Sequence, residues 1–219
     1  MPLKITHQRI TFFLQSILLL EVLVAIWAGR WFTAFFTAMI ILVTFMPVVL
    51  ERRFRIHIPP ELQLLAIGFV FGSLFLGEVR DYYARFWWWD IMLHTSSGVL
   101  LGILGFLLVH ILNEVERLEF HLKPGFVAFF AFMFALGVGA LWEIFEFAMD
   151  SIFGTNMQKP MLGDPSGLTD TMWDLIVDAL GALFISLLGW RYLRNPGKES
   201  FLERWINEFV TRNPRLFRK

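Results

Sequence analysis

The segment from Pro124 to Asp150 has the sequence PGFVAFFAFMFALGVGALWEIFEFAMD, and it decides the class of fold. Its first part is apolar over about 20 residues, the length that one helix needs to cross a bilayer. Its last part carries Glu143, Glu146 and Asp150 at helical spacing. Charged side chains at bilayer depth are energetically unfavourable, and they usually mark a functional site that faces the protein interior. The segment therefore predicts a membrane-spanning helix that contributes to a site.

Two further stretches combine acidic residues with an apolar run. WWWDIMLH at residues 87–94 opens one long apolar segment, and DTMWDLIVD at residues 170–178 opens another. Both stretches also indicate a functional site, because their ionisable groups fall at the edge of a predicted span. These groups are Asp90, His94, Asp170, Asp174 and Asp178.

The composition of the whole chain is that of an integral membrane protein. Of its 219 residues 57% are hydrophobic and 17% charged, whereas soluble domains are about half apolar and about a quarter charged. The net charge is zero, so no basic field predicts a nucleic-acid partner. The absence of cysteine excludes disulfides and Cys-ligated zinc, but it does not fix the redox compartment. The partner that the composition predicts is the lipid bilayer.

Apolar runs predict an all-α bundle of six transmembrane helices, at roughly 10–29, 31–50, 62–79, 88–112, 125–149 and 171–193. The first helix contains Glu21 and lacks a small-residue cleavage signal, so we expect it to be retained and not to be a signal peptide. Residues 1–193 then form the transmembrane domain. Residues 194–219 form a basic tail whose apolar positions recur at helical spacing, which predicts an amphipathic helix on the membrane surface.

The distribution of basic residues predicts the orientation of these helices. With six spans, the N-terminal segment, the linker at 51–61, the loop at 113–124 and the tail lie on one side and hold most of the Lys and Arg. Because basic loops stay in the cytoplasm, both termini are predicted to be cytoplasmic. The candidate acids then fall in the outer half of the fourth, fifth and sixth spans. The basic residues on that outer side are Arg30, Arg80, Arg85 and Lys159.

Helical geometry groups the candidate residues into three stripes, since residues three or four apart share a face of a helix. Stripes of like charge require a bound cation, shared protons or a basic partner, for which Arg80 and Arg85 are the best placed. The stripes are Asp90 and His94 on the fourth span, Glu143, Glu146 and Asp150 on the fifth, and Asp170, Asp174 and Asp178 on the sixth.

Carboxylates with one histidine and no sulfur favour a divalent ion such as Mg²⁺, Mn²⁺, Fe²⁺, Ca²⁺ or Zn²⁺. Inward-facing Glu and His residues of helical bundles form such sites elsewhere. We therefore predict a divalent-metal site of all eight residues. His94 and Glu146 are the first expected ligands, and Asp90, Glu143 and Asp174 the next.

Each candidate also has a structural alternative. Asp90 and Asp170 are placed to cap the N-termini of their helices, and His94 has the alternative of an ordinary buried histidine. Glu21 and Glu78 are isolated, which favours structural roles for both. Glycines four apart, at Gly98 and Gly102, indicate close helix packing.

At these motifs the chain resembles the YjdF-like family of bacterial inner-membrane proteins. The shared elements are WD-x-x-x-H ending at His94 and followed by Gly98, WE-x-x-E at Trp142–Glu146, and Gly154-Thr155 followed later by WD-x-x-x-D at Trp173–Asp178. The resemblance covers roughly residues 60–192 and implies a multi-pass protein of the bacterial inner membrane. It implies no established activity. One departure is the segment MQKPMLGDPSGLTDTM, which separates the Gly-Thr and Trp-Asp elements in this chain.

Three functions are compatible with the predicted site. In the first, a metal-bound water hydrolyses an ester or phosphodiester of a lipid substrate at the outer leaflet, and residues 151–169 act as a lid. In the second, the protein is a non-catalytic, metal-binding accessory subunit of a membrane complex. In the third, the acids conduct a cation or protons. Transport is less favoured, because the acids lie in one half of the membrane and no inverted repeat is evident.

Overall fold

The computed structural model describes residues 2–114, 122–194 and 201–214, and within these ranges every helix or strand assignment is helical. Side-chain surroundings are described for residues 7–109, 122–194, 204–205 and 208–214. The α-helices in the described ranges are α1 (Pro2–Trp27), α2 (Trp31–Thr44), α3 (Met46–Phe54), α4 (Pro60–Val70), α5 (Tyr82–Arg85), α6 (Trp89–Glu114), α7 (Pro124–Phe153), α8 (Leu168–Arg194) and α9 (Phe201–Arg212).

Within the described ranges, six helical segments are long and apolar enough to span a membrane, which confirms the predicted number and order. Helices α1, α6, α7 and α8 each form one span. Helices α2 and α3 together form the second span, and α4 forms the third together with a π-helical segment, Phe71–Val79. Their bounds are His7–Trp27, Trp31–Phe54, Pro60–Val79, Trp89–Val109, Pro124–Phe153 and Leu168–Arg194.

The sequence pattern missed irregularities within these spans. The second span changes helix at Phe45, just before Pro47, because proline has no backbone N–H to continue the ladder. The third ends in wider π-helical turns, where the Gly72 carbonyl accepts a hydrogen bond of 3.3 Å from the indole of Trp89. The last span begins at Leu168, three residues earlier than predicted.

Parts of two predicted features lie outside the described residues. These are residues 115–121 of the loop at 113–124, and residues 195–200 and 215–219 of the tail, including Arg215, Arg218 and Lys219. The predicted boundary between residues 193 and 194 stays a prediction. By its contacts the chain instead divides into a first unit, Met1–Trp89 with Thr211–Asn213, and a second unit, Asp90–Val210 with Pro214–Lys219.

The first unit has an apolar core and an ion-pair network around the buried carboxylate of Glu21. Glu21 is 9% exposed, and its two carboxylate oxygens lie 3.2 Å from an Arg30 nitrogen and 3.4 Å from an Arg80 nitrogen. A buried carboxylate is stable only with such partners, so the structure supports the structural role expected for Glu21. Arg80, expected beside the acidic stripes, is paired with Glu21. The core cluster around which this unit packs is Leu18, Ile40, Phe71 and Phe75.

The second unit is held together by close contacts between α6, α7 and α8 at glycines. A side chain at Gly98 on α6 would collide with the backbone oxygen of Asp178, and one at Gly181 on α8 would collide with that of Thr95. Gly102 likewise faces the side chain of Ile185. The predicted packing role of the Gly98–Gly102 pair is therefore confirmed, because only glycine lets the two backbones approach this closely.

The C-terminal helix α9 confirms the amphipathic helix predicted in the tail. Trp205 and Phe209 lie one turn apart on it and are each only 9% exposed. Their rings are therefore covered by protein, whereas the sequence pattern predicted contact with the membrane surface. In the first unit, the Asn213 side chain accepts a hydrogen bond from the backbone N–H of His57 and donates one of 2.8 Å to its carbonyl.

Candidate metal centre

The candidate centre lies in the second unit, where the first turns of α6, the C-terminal half of α7 and the N-terminal half of α8 meet. Their packing brings together one residue stripe from each helix. Gly139 on α7 allows this, because a side chain there would collide with the Asp178 carboxylate of α8. The acids of three separate sequence motifs therefore share one location, as the helical spacing predicted.

His94 is the centre of this cluster. Its Nε2 lies 3.6 Å from an Asp90 oxygen and 3.8 Å from Oδ2 of Asp174. Its Nδ1 lies 3.4 Å from Oδ2 of Asp178 and 3.8 Å from Oε1 of Glu143. One imidazole is thus surrounded by four carboxylates, two facing each ring nitrogen. The alternative of an ordinary buried histidine does not account for this arrangement.

Three of these carboxylates are almost fully buried, with exposures of 3% for Glu143, 2% for Asp174 and 1% for Asp178. Asp178 is anchored, because its Oδ1 accepts a 2.5 Å hydrogen bond from the Ser97 hydroxyl. Oδ2 of Asp174 is buried and lacks a hydrogen bond within the described residues. A buried carboxylate oxygen normally has a partner, so this atom indicates a ligand.

Three of the predicted residues have the spacing of metal ligands. One ligand atom each from Asp90, His94 and Asp174 can be chosen so that all lie within 4.8 Å of one another. Two atoms bound to one metal ion at about 2.1 Å lie at most about 4.2 Å apart. A small movement of the side chains would bring the three atoms within that limit. These residues form the compact part of the cluster, with Glu143 and Asp178 against the imidazole.

Glu146 occupies a different position from the one predicted for a first ligand. It is buried one turn after Glu143 on α7, and its Oε1 accepts a 2.8 Å hydrogen bond from the indole of Trp142. It interacts electrostatically with Glu143 and His94, but it is not in the set with metal-ligand spacing. Glu146 therefore borders the cluster.

Asp150 and Asp170 hold the loop between α7 and α8. Asp150 accepts hydrogen bonds from the Thr155 hydroxyl at 2.6 Å and from the backbone N–H of Met157 and Gln158. Asp170 accepts one of 2.7 Å from the backbone N–H of Lys159. Their part in metal binding stays a prediction, whereas their bonds to the loop are direct. The structure thereby ties the predicted lid to both helices.

Asp90 and Asp170 are not N-caps, contrary to that structural alternative. Helix α6 begins at Trp89 and α8 at Leu168, so both acids lie inside the first turn. At the start of α8 the capping is done by Asp164, which accepts hydrogen bonds from the backbone N–H of Ser166 and from both the N–H and the hydroxyl of Thr169. These bonds from Ser166 and Thr169 hold the pKa of the Asp164 carboxyl well below its usual range.

Three residues near the site were not among the predicted set. Ser97 is the last of three consecutive hydroxyl residues on α6. The other two, Thr95 and Ser96, donate to carbonyls of their own helix. Lys159 interacts electrostatically with Asp90 and Asp170, and only its position in the predicted outer loop signalled it. Ser186 is a buried hydroxyl residue two turns after Asp178 on α8.

Comparison with known proteins identifies the family of this chain. A family model described as "Predicted membrane protein (DUF2238)" matches residues 10–195. A protein of Thermotoga maritima described as "Uncharacterized protein" is 31% identical over 147 residues, which cover 67% of this chain and 71% of that relative. No solved structure matches the chain. With six helices able to span a membrane and a match over most of its length, the chain belongs to the DUF2238 family of predicted membrane proteins.

Proposed function

We propose that the protein binds one divalent metal ion through Asp90, His94 and Asp174. The single observation that carries this proposal is the set of ligand atoms from these residues within 4.8 Å of one another. A second observation supports it, since Oδ2 of Asp174 is buried without a hydrogen bond in the described part of the chain. A cation would supply the missing partner.

The charge of the cluster also supports a bound cation. Asp90, Glu143, Asp174 and Asp178 all lie within 4 Å of His94, and one imidazolium carries a single positive charge. Lys159 adds a second positive charge nearby. The acids still outnumber these basic groups, and repulsion between buried like charges is strong. A divalent ion offsets that repulsion without requiring the carboxyl groups to retain protons.

The ligand set restricts the choice of metal. Two carboxylates and one imidazole suit Mn²⁺, Fe²⁺ and Zn²⁺ better than Mg²⁺ or Ca²⁺, which prefer oxygen ligands alone. His94 would bind through Nε2, the nitrogen that faces Asp90 and Asp174. Nδ1 would donate to Asp178, the carboxylate that Ser97 holds in place. A carboxylate behind a ligand histidine is the usual arrangement in metal sites.

Hydrolysis of a lipid ester or phosphodiester is the activity that best fits such a metal. Three protein ligands leave coordination positions for water and substrate. Glu143 lies with Asp178 at Nδ1 of His94, so these two carboxylates would hold the imidazole with Nε2 toward the ion. Trp142, on the same helix as Glu143 and Glu146, is exposed, and a lipid would approach along this face.

A non-catalytic metal-binding subunit is the second candidate. The loop between α7 and α8 supports it, because Asp150, Asp164 and Asp170 all anchor that loop by hydrogen bonds. An anchored loop suits a permanently ligated ion better than an opening lid. Transport through the acidic cluster is a third proposal. Ser186 supports transport, because its buried hydroxyl lies on the same face of α8 as Asp178, two turns further along. This hydroxyl has no hydrogen bond among the described residues.

We further propose that the protein lies in a bacterial inner membrane, with cytoplasmic termini, as its resemblance to YjdF-like proteins implies. The relative from Thermotoga maritima and the arginines at residues 52–55 support this placement. The cysteine-free chain permits a direct test by single-cysteine labelling. A membrane-impermeant thiol reagent should label Leu162→Cys in intact cells and should leave Arg53→Cys unlabelled. The reverse result would contradict the orientation.

Elemental analysis of the purified protein tests the metal proposal. Wild type should retain about one equivalent of Mn, Fe or Zn per chain, and His94→Ala and Asp174→Asn should retain little. Glu78→Gln is the matched control, since it removes an exposed carboxylate of the first unit. Absence of a divalent metal in wild type reconstituted with each of the five ions would refute the proposal. An equal loss in Glu78→Gln would show that metal is held nonspecifically.

A further inference from the structure

The first unit contains a cavity that the proposed metal centre does not involve. Its volume is about 500 Å³, within the range of small-ligand sites. It is lined by α1, by α2 and α3, and by α4, at the end of these helices that carries Arg52 and Arg53. All of its lining residues belong to the first unit, so whatever binds there does not depend on the acidic cluster.

One part of the cavity is polar and favours an anion. Glu51 is its acid, and Oε1 of this residue already accepts hydrogen bonds from the backbone N–H of Ile58 at 2.8 Å and from Gln63 at 2.9 Å. The same oxygen lies 3.5 Å from Nδ1 of His57. The hydrogen bonds from Ile58 and Gln63 already engage the carboxylate. The basic groups Arg52 and His7 also line the cavity.

The buried Nδ1 of His7 is the specific sign of a ligand. It has no hydrogen bond among the described residues, although it lies in a cavity with several other polar groups. A buried polar atom without a partner is unfavourable by itself. Protonated at this nitrogen, His7 would donate to a ligand oxygen, and the guanidinium of Arg52 is suited to a phosphate.

The other part of the cavity is apolar and reaches the outer surface of the helices. Phe12, Phe45 and Val48 line it, and all three are largely exposed. Because they belong to helices able to span a membrane, their exposed faces meet acyl chains. A ligand that fits both parts has an anionic head and an apolar tail.

We propose that this cavity binds the phosphate headgroup of an anionic phospholipid, with Arg52 and His7 on the phosphate and an acyl chain along Phe12 and Phe45. Basic pockets between transmembrane helices recognise anionic lipids in this way. The shared chemistry, a phosphate monoanion, also occurs in soluble phosphate esters, and the experiment separates the two sources.

Binding is measured on the full-length protein in detergent by native mass spectrometry, with phosphatidylglycerol, phosphatidylcholine and soluble glycerol phosphate as probes. Phosphatidylglycerol should bind at least about tenfold more tightly than either of the others, because phosphatidylcholine carries a cation beside its phosphate and glycerol phosphate lacks acyl chains. Equal binding of phosphatidylcholine would overturn the role of charge. Equal binding of glycerol phosphate would overturn the lipid as ligand.

Two neighbouring arginines supply a matched pair of variants. Arg52→Gln should weaken phosphatidylglycerol binding about tenfold, and His7→Gln by a smaller factor, whereas Arg52→Lys should retain most of the binding. Arg53→Gln removes the same charge one residue away, outside the cavity lining, and should change binding by less than about twofold. An equal loss in Arg53→Gln would show surface attraction only. An unchanged Arg52→Gln variant would overturn the site.

Discussion

Oδ2 of Asp178 lies 3.4 Å from Nδ1 of His94, while Nε2 of the same imidazole faces Asp90 and Asp174. Asp178 is itself fixed by the Ser97 hydroxyl at 2.5 Å and packs against Gly139. The two ring nitrogens therefore have different surroundings. One faces an anchored carboxylate, and the other faces a pair of carboxylates with the spacing of metal ligands.

Asp178→Asn should weaken metal binding about 10- to 100-fold without abolishing it, because the amide no longer holds the imidazole in the orientation that presents Nε2. His94→Ala should abolish binding. Metal affinities from competition with a coloured chelator distinguish the two variants. An Asp178→Asn affinity equal to that of wild type would contradict the orienting role, and Glu78→Gln provides the unaffected reference.

Gly98→Ala should both destabilise the second unit and weaken its metal binding. The added methyl group would collide with the backbone oxygen of Asp178 and force α6 and α8 apart, which typically costs about 1–3 kcal/mol. Gly137→Ala on α7 is the control, because nothing lies within 4 Å of its added carbon. It should stabilise the helix by about 0.5–1 kcal/mol. Thermal unfolding in detergent measures both changes, and equal effects would argue against close α6–α8 packing.

The sequence sufficed for the membrane class, the six spans and the meeting of three acidic motifs. Apolar length and helical period carry that information, because a spanning helix must satisfy its own backbone and can bury only one stripe. The sequence could not predict which acids hold the loop and which lie in the proposed metal site. Asp150 and Asp174 have the same charge and similar spacing, but only the structure shows that Asp150 is occupied by loop N–H groups.

The capping of α8 illustrates the limit of local patterns. Asp170 follows the Gly/Pro-bearing segment and has the appearance of an N-cap, but the helix begins at Leu168 and Asp164 makes the capping bonds. Arg80 is another example. Its place in a predicted outer loop suggested that it lies beside the acidic stripes. In the structure, α1 packs against the third span and Arg80 pairs with Glu21. The first error concerns local bonds, in which one of two nearby aspartates makes the cap, and the second arises from a tertiary contact.

The loop between α7 and α8 should loosen in acid. The pKa of Asp164 is lowered in the folded protein, so its contribution is present above the ordinary aspartate value of about 4 and is lost as the pH falls toward the folded-state value. Asp164→Asn should lose this dependence. Hydrogen exchange of residues 156–169 between pH 5 and pH 3, corrected for intrinsic rates, measures it. Identical pH profiles in the two proteins would contradict the assignment to Asp164.

Glu21 should depend on both of its arginines together. Each arginine is about half exposed, so Arg30→Gln or Arg80→Gln alone should cost about 1 kcal/mol or less. The double variant leaves a buried carboxylate unpaired and should cost about 3 kcal/mol, more than the sum. Unfolding of the four proteins gives the coupling. Arg85→Gln, at an exposed position, serves as the reference, and strict additivity would contradict a shared network.

The most direct test of the central claim is X-ray absorption at the edge of the metal that co-purifies with the protein. The proposed centre predicts a first shell of oxygen and nitrogen atoms at about 2.0–2.2 Å, with the outer-shell scattering of one imidazole. That imidazole signal should disappear in His94→Gln and persist in Glu78→Gln. A spectrum without imidazole scattering, or one that His94→Gln leaves unchanged, would contradict a metal site built on Asp90, His94 and Asp174.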